Sequence, residues 1–177
     1  MTGKDILLDF VFGTEAMLDH RGWDAPPRLL VMRRHADGII ATDTTVLHGV
    51  ADIQGHLDNL VVSTAINSDA RRRFRTAVGP NALGLCLHLE AWGLFDSTSV
   101  AEAARIAGPR PVSRHPKRQD VRVLTAVVLG RDVSVQRIRG GEPTVLFDSA
   151  DAAFDKRLVG HIPEALRALH NIVHDLA

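Results

Sequence analysis

The chain has 177 residues, a formal net charge of zero and a hydrophobic fraction of 45%, a balance that fits one globular domain and excludes a charge-dominated disordered chain. Its single cysteine, Cys86, excludes an internal disulfide. With no apolar run near the ~18 residues that span a bilayer, and no leader-like cleavage pattern after Met1, the chain reads as cytoplasmic, with no membrane partner and no cofactor.

The elements follow in order. Residues 4–20 carry Ile6, Leu7, Phe10, Val11, Met17 and Leu18 near i, i+4 spacing, which predicts a first helix ended by Gly22. Pro26 and Pro27 forbid its continuation, and strands are expected at 28–34 and 39–47, joined by the turn signal Asp37-Gly38. Residues 53–66 and 68–78 read as two helices, Ser68 being the expected N-cap of the second. The segment 82–94 is the clearest strand: Leu83, Leu85, Leu87 and Leu89 alternate with Cys86, His88, Glu90 and Trp92, so the leucines should share the core face. A short helix is expected at 98–107. Strands follow at 120–129 and 132–139, the first apolar on both faces and therefore central. A helix at 162–176, with Pro163 in its first turn, closes the chain. The expected fold is α+β, a mainly antiparallel sheet of about five strands with helices packed on it, in one domain over residues 1–177.

Charge is unevenly spread. Residues 1–60 carry a net −4, residues 61–140 a net +7 and residues 141–177 a net −3. Arginines outnumber lysines eighteen to three and tyrosine is absent, a codon signature of a GC-rich genome. The basic middle is either a solvated face beside acidic terminal helices or a surface for a polyanion.

Five clusters carry candidate chemistry. Trp23, Asp24 and Arg28 flank a rigid diproline, and Trp and Arg are common interface anchors; the plain alternative is a helix-to-strand connector. His115, Arg118 and Arg122 lie in a basic run, 114–122, suited to a phosphate or carboxylate; the alternative is a turn neutralised by Asp120. His88, Glu90 and Trp92 share one strand face, as an acid/base pair requires, but no third metal ligand is spaced to match. His170 and His174 are one turn apart without the intervening Glu of a zinc-protease helix. Arg71, Arg72, Arg73 and Arg75 surround Phe74, a pattern that tracks a nucleic-acid backbone or simply solvates a helix. The P-loop, dinucleotide and Gly-x-Ser-x-Gly signatures are missing. Cys86, mid-strand among leucines, is poorly placed for a nucleophile.

The blocks Gly22-Trp23-Asp24-x-Pro26-Pro27-Arg28-Leu29, Glu90-x-Trp92 and His115-Pro116-x-Arg118-x-x-Val121-Arg122 together resemble a family of small actinobacterial and actinophage proteins. The resemblance covers about a third of the chain and agrees with the arginine bias. It implies a host range and transfers no activity or catalytic residue.

The leading expectation is a non-enzymatic binding or adaptor domain that engages a protein partner through Trp23, Asp24, Arg28 and Trp92. Nucleic-acid binding through 71–75 and 114–122 is the alternative. A small enzyme or anion-binding protein using His88, Glu90, His115 and Arg118 is the third reading. Trp92 on a half-polar strand face would also suit a homodimer.

Overall fold

The computed structural model describes residues 5–36, 38–44, 46–50, 52–93, 118–151 and 161–175. The first element is α1 (Ile6–His20), capped by the Asp5 carboxylate, which accepts from the Leu8 amide. A hairpin of β1 (Arg28–His35) and β2 (Gly38–Asp43) follows, then helices α2 (Ile53–Ile66) and α3 (Ser68–Val78). The strands β3 (Ala82–Gly93), β4 (Gln119–Val128), β5 (Arg131–Ile138) and β6 (Pro143–Asp148) come next, and α4 (Ile162–His174) closes the chain. All pairings are antiparallel and the sheet order is β2-β1-β3-β4-β5-β6.

The architecture is three layers. Helix α1 covers one face of the sheet, where Leu7, Val11 and Leu18 pack on Leu30, Met32, Cys86, Leu124, Ala126, Val133 and Val135. The other face carries α2, α3 and α4, with Leu57, Phe74, Val78, Leu166 and Leu169 against Leu29, Val31, Leu85, Leu87 and Val127. A sheet covered on both faces explains why β4 reads as a continuous apolar run. No helix among the described residues is long and apolar enough to cross a membrane.

The α+β antiparallel architecture agrees with the sequence reading, with four differences. Asn67, not Ser68, caps α3, its side-chain oxygen accepting from the Asp69 and Ala70 amides at 2.9 and 3.1 Å, which leaves Ser68 as the first helical residue. The sheet has six strands rather than about five. The sixth, β6, opens on Pro143 after Gly140-Gly141-Glu142, a stretch that reads as a terminator; proline is tolerated there because β6 is an edge strand. The second strand ends at Asp43 rather than running to residue 47: after the Thr44 amide bonds the Leu29 carbonyl, the Thr44 hydroxyl accepts from the Val46 amide and residues 46–49 form a turn whose Leu47 is buried. Leu83 leaves the leucine face. Met32 pairs with Gly84 but Arg33 pairs with Ala82, so Leu83 is the extra residue of a β-bulge and packs toward α1. The helix expected at 98–107 lies outside the described residues.

Helix α1 is tethered at both ends by ion pairs. At its start, Arg131 donates to both oxygens of Asp5 (2.9 and 2.7 Å) and to both of Asp148 (3.1 and 2.6 Å). The Arg131 hydrogen bonds hold both carboxyls below the usual aspartate range. At its end, the helix meets the polar cluster described next.

Candidate functional site

The apolar stripe of α1 runs through Leu7 and Val11, and the next position on it is Glu15, which is fully buried. A carboxylate there must be paired. Its partners come from the sheet. Arg137 on β5 donates to both Glu15 oxygens at 2.7 and 2.6 Å, a bidentate fork. Arg122 on β4, also fully buried, reaches Glu15 at 3.4 Å and Asp19 at 3.5 Å.

Glu90 stands directly across from Arg122 in the β3–β4 register. Its Oε1 accepts from Arg122 at 3.1 and 2.9 Å. Its Oε2 accepts from the backbone amides of Asp24 and Ala25 at 2.6 and 3.2 Å. The remaining Arg122 edge donates to the Gly22 carbonyl at 2.6 Å. One side of the guanidinium lies 4.5 Å from the centroid of Trp23, a cation–π contact. Every guanidinium nitrogen thus has an acceptor, the condition under which a buried arginine is tolerated.

This network shapes the connector between α1 and β1. Gly22 has φ +89° and Asp24 φ +71°, so left-handed residues flank Trp23 on both sides. Left-handed backbone is uncommon for a residue with a side chain, although Asp is among those that tolerate it. The Asp24 N–H bond to Glu90 and the carbonyl of Gly22 on Arg122 hold the turn in that form.

Beside the connector is a cleft of about 210 Å³ lined by Trp23, Asp24, Ala25, Glu90, Ala91, Trp92 and Asp120. Trp92 is 52% exposed, the one exposed tryptophan of the described residues. Arg118 sits 5.6 Å from its ring centroid. Of the three carboxylates, Glu90 is held by Arg122 and Asp120 by Arg139 at 2.9 Å. The exposed Asp24 carboxylate accepts no hydrogen bond and closes no ion pair among the described residues, and Arg139 is the cation that feels its field. Among the described residues the cleft therefore offers one carboxylate, that of Asp24, with no hydrogen bond or ion pair, beside an indole face.

The candidate residues sort clearly by position. Trp23, Asp24 and Trp92 meet in this cleft. Arg28 lies outside its lining, on the α1 face of β1, 3.8 Å from Asp43. Arg122 is not part of a surface basic run, because strand alternation turns it inward with Leu124 and Ala126. Arg118 is exposed and His115 lies outside the described residues.

His88 and Glu90 do face the same way, 3.9 Å apart, but α1 covers them and His88 has no exposed surface. The imidazole is therefore shielded from solvent in this structure. Neither His88 ring nitrogen makes a hydrogen bond of good geometry among the described residues. Burial, reinforced by the Arg122 and Arg28 charges, pushes its pKa down to about 4, opposed only by the Pro26 carbonyl. The folded value lies below the ordinary 6.5, so the unfolded chain binds more protons between those two values. Stability should fall by about 2 kcal/mol between pH 7 and pH 5 from this group. Urea titrations of the native chain and of His88→Gln at both pH values check this: the variant should show a smaller loss by that amount, and equal losses would refute the assignment.

Arg71, Arg72 and Arg75 of α3 line one open groove of about 810 Å³, and each also makes contacts within the fold. Arg71 donates to the Thr64 and Ala65 carbonyls at 2.9 and 2.6 Å, closing the C-terminus of α2. Arg75 donates to the Ile172 carbonyl at 2.8 Å and pairs with Asp175, closing α4. Arg72 pairs with Asp69 at 2.7 Å, and exposed Arg73 makes no hydrogen bond or ion pair among the described residues. His170 is buried with its Nε2 3.2 Å from the Leu83 carbonyl, and its ring is 4.5 Å from that of His174. No group of three or more metal-ligating side chains stands together among the described residues.

The sequence reading missed the core of this cluster, Glu15, Asp19 and Arg137. The signal was present: Glu15 occupies the apolar stripe of an amphipathic helix, four positions on from Val11, and such a residue demands a buried cation. Compared with protein-family models, curated proteins and solved structures, the chain matched none of them significantly.

Proposed function

We propose that this domain is a non-enzymatic binding module whose Trp23–Trp92 cleft receives a basic side chain of a protein partner. The carrying observation is the exposed pair of Trp92 and the Asp24 carboxylate, lining one cleft. An indole face attracts an arginine or lysine, with roughly 0.5–1 kcal/mol gained at an exposed site and more when water is excluded. Arg118 of the chain itself already lies over Trp92, which supports the view that this face takes a guanidinium. The ion network behind the cleft holds the connector in one form, so little ordering free energy is spent on binding. For the nucleic-acid reading, Arg122 is buried, while Arg71, Arg72 and Arg75 stay together on one open groove although Arg71 and Arg75 also donate to backbone carbonyls.

The test is a fluorescence titration with an arginine-rich peptide, read on the tryptophans. A saturable change is expected in the native chain. It should be lost in Trp92→Ala and weakened about tenfold in Asp24→Asn, equivalent to ~1.4 kcal/mol. No saturable change at millimolar peptide, or equal affinity in Asp24→Asn, sinks the proposal. A single-stranded oligonucleotide that binds more tightly than the peptide, with affinity falling as salt rises, would favour the nucleic-acid reading instead.

A further inference from the structure

The two edges of the sheet are built differently. Edge strand β6 begins at Pro143 and pairs with β5 through a register irregularity at Ser134/Val135, both devices that discourage a further strand. Edge strand β2, Gly38-Ile39-Ile40-Ala41-Thr42-Asp43, has no proline, no lysine and an unbroken register with β1. It is rich in β-branched residues, and Ile40 is 45% exposed.

The free backbone groups of β2 can be assigned. The Thr44 amide donates to the Leu29 carbonyl at 3.0 Å, so residues 44 and 29 form a hydrogen-bonded pair. Antiparallel pairs alternate, and the register continues through Thr42↔Val31, Ile40↔Arg33 and Gly38↔His35. The amides and carbonyls of Ile39, Ala41 and Asp43 therefore point outward, away from the sheet.

We propose that β2 pairs with β2 of a second copy of this chain, antiparallel about a two-fold axis at Ala41, to make one continuous twelve-stranded sheet. Ala41 meets Ala41 of the copy, and Ile39 meets Asp43, as hydrogen-bonded pairs. Ile40 then lies opposite Thr42 of the copy at a non-hydrogen-bonded pair, where β-branched side chains approach most closely and pack best.

Charge selects a second copy over an unrelated strand. Arg34 shares the α1 face with Ile39, its partner in the hairpin register, and makes no hydrogen bond or ion pair among the described residues. In the proposed register Asp43 of the copy, which in its own chain also has Arg28 at 3.8 Å and His48 at 3.4 Å, falls on that same face, beyond Ile39 from Arg34. The symmetry repeats this pairing twice. Ile6, 62% exposed, lines a groove with Arg34, Ile39 and Leu83 next to the same edge and adds apolar area to the junction. This interface is separate from the cleft, which lies at β3 and β4, and neither proposal depends on the other.

A six-residue strand pair is small against the ~1,200–2,000 Å² of a stable interface, so association should be concentration-dependent. Sedimentation of the full chain should show a mass rising from 19.3 kDa toward twice that value with concentration. Ala41→Pro removes one outward N–H at the axis, and edge strands tolerate proline where the N–H faces solvent. It should weaken the dimer at least tenfold with an unchanged circular dichroism spectrum. The double variant Ile40→Lys, Thr42→Lys alters only exposed positions and should do the same by placing like charges opposite each other. Amide exchange in the native chain should slow with concentration at Ile39, Ala41 and Asp43 and not at Ile40 and Thr42. A monomer at roughly millimolar concentration, the weak end of specific association, overturns the proposal. So does a dimer that survives both variants, or concentration-dependent protection that ignores the alternation.

Discussion

Arg122→Ala is expected to destabilise the fold by about 3–5 kcal/mol, the range seen when one member of a buried ion pair is deleted. Arg122 has no exposed surface, and it is the common partner of Glu90, Glu15 and Asp19. Deletion leaves the Glu90 Oε1 without its cation, strips the Gly22 carbonyl of its donor and opens a cavity beneath Trp23. In a domain of this size the change corresponds to a fall in Tm of roughly 6–20 °C. Arg122→Lys keeps the charge, but one ammonium cannot serve Glu90, Glu15 and Gly22 at once, so recovery should be partial. Arg122→Met combined with Glu90→Gln should recover more than Arg122→Met alone, because the orphaned charge is then removed. Urea denaturation decides the matter: a loss under about 1 kcal/mol for Arg122→Ala would show that the network adds little.

Gly84→Ala should cost about 3 kcal/mol, at or above the upper end for overpacking a core. A Cβ at residue 84 would run into the Val127 carbonyl, the Met32 methyl and Val128. The methionine can swing aside, but the carbonyl belongs to β4 and is fixed by the sheet. Gly84 follows the bulged Leu83 and lies so close to the β4 backbone that only glycine fits there. Gly13→Ala is the control. Gly13 lies inside α1 with open space around its missing Cβ, so alanine should stabilise by up to about 1 kcal/mol. Thermal melts of the two variants should move in opposite directions, and a neutral Gly84→Ala would mean that the bulge relaxes at no cost.

Glu90 joins the cleft to the network behind it. Glu90 holds the Asp24 and Ala25 amides, and so converts the rigidity of the buried cluster into a defined position for the Asp24 carboxylate. A loss of peptide binding in Glu90→Gln without a matching loss of stability would trace that link.

Local pattern determined much of this protein. The period of Leu7, Val11 and Leu18 marked α1, the alternation of Leu85, Leu87 and Leu89 against Cys86 and His88 marked β3, and the two-faced apolar run of β4 placed it centrally. These are one-dimensional signals, because burial repeats every 3.6 or 2 residues whatever the partner element is. Trp23, Asp24 and Trp92 were legible as candidates because unusual residue types cluster near a diproline. Only the tertiary structure decided what the charges do. Whether Arg122 is a surface cation or a buried one depends on Glu15, 107 residues earlier, and on Glu90 across the strand. Arg71 and Arg75 read along the chain as part of a basic cluster, and only the tertiary structure shows that they also donate to carbonyls at the ends of α2 and α4. An arginine's role is set by which acceptors the fold brings within about 3 Å of it, and that pairing leaves no periodic trace along the chain.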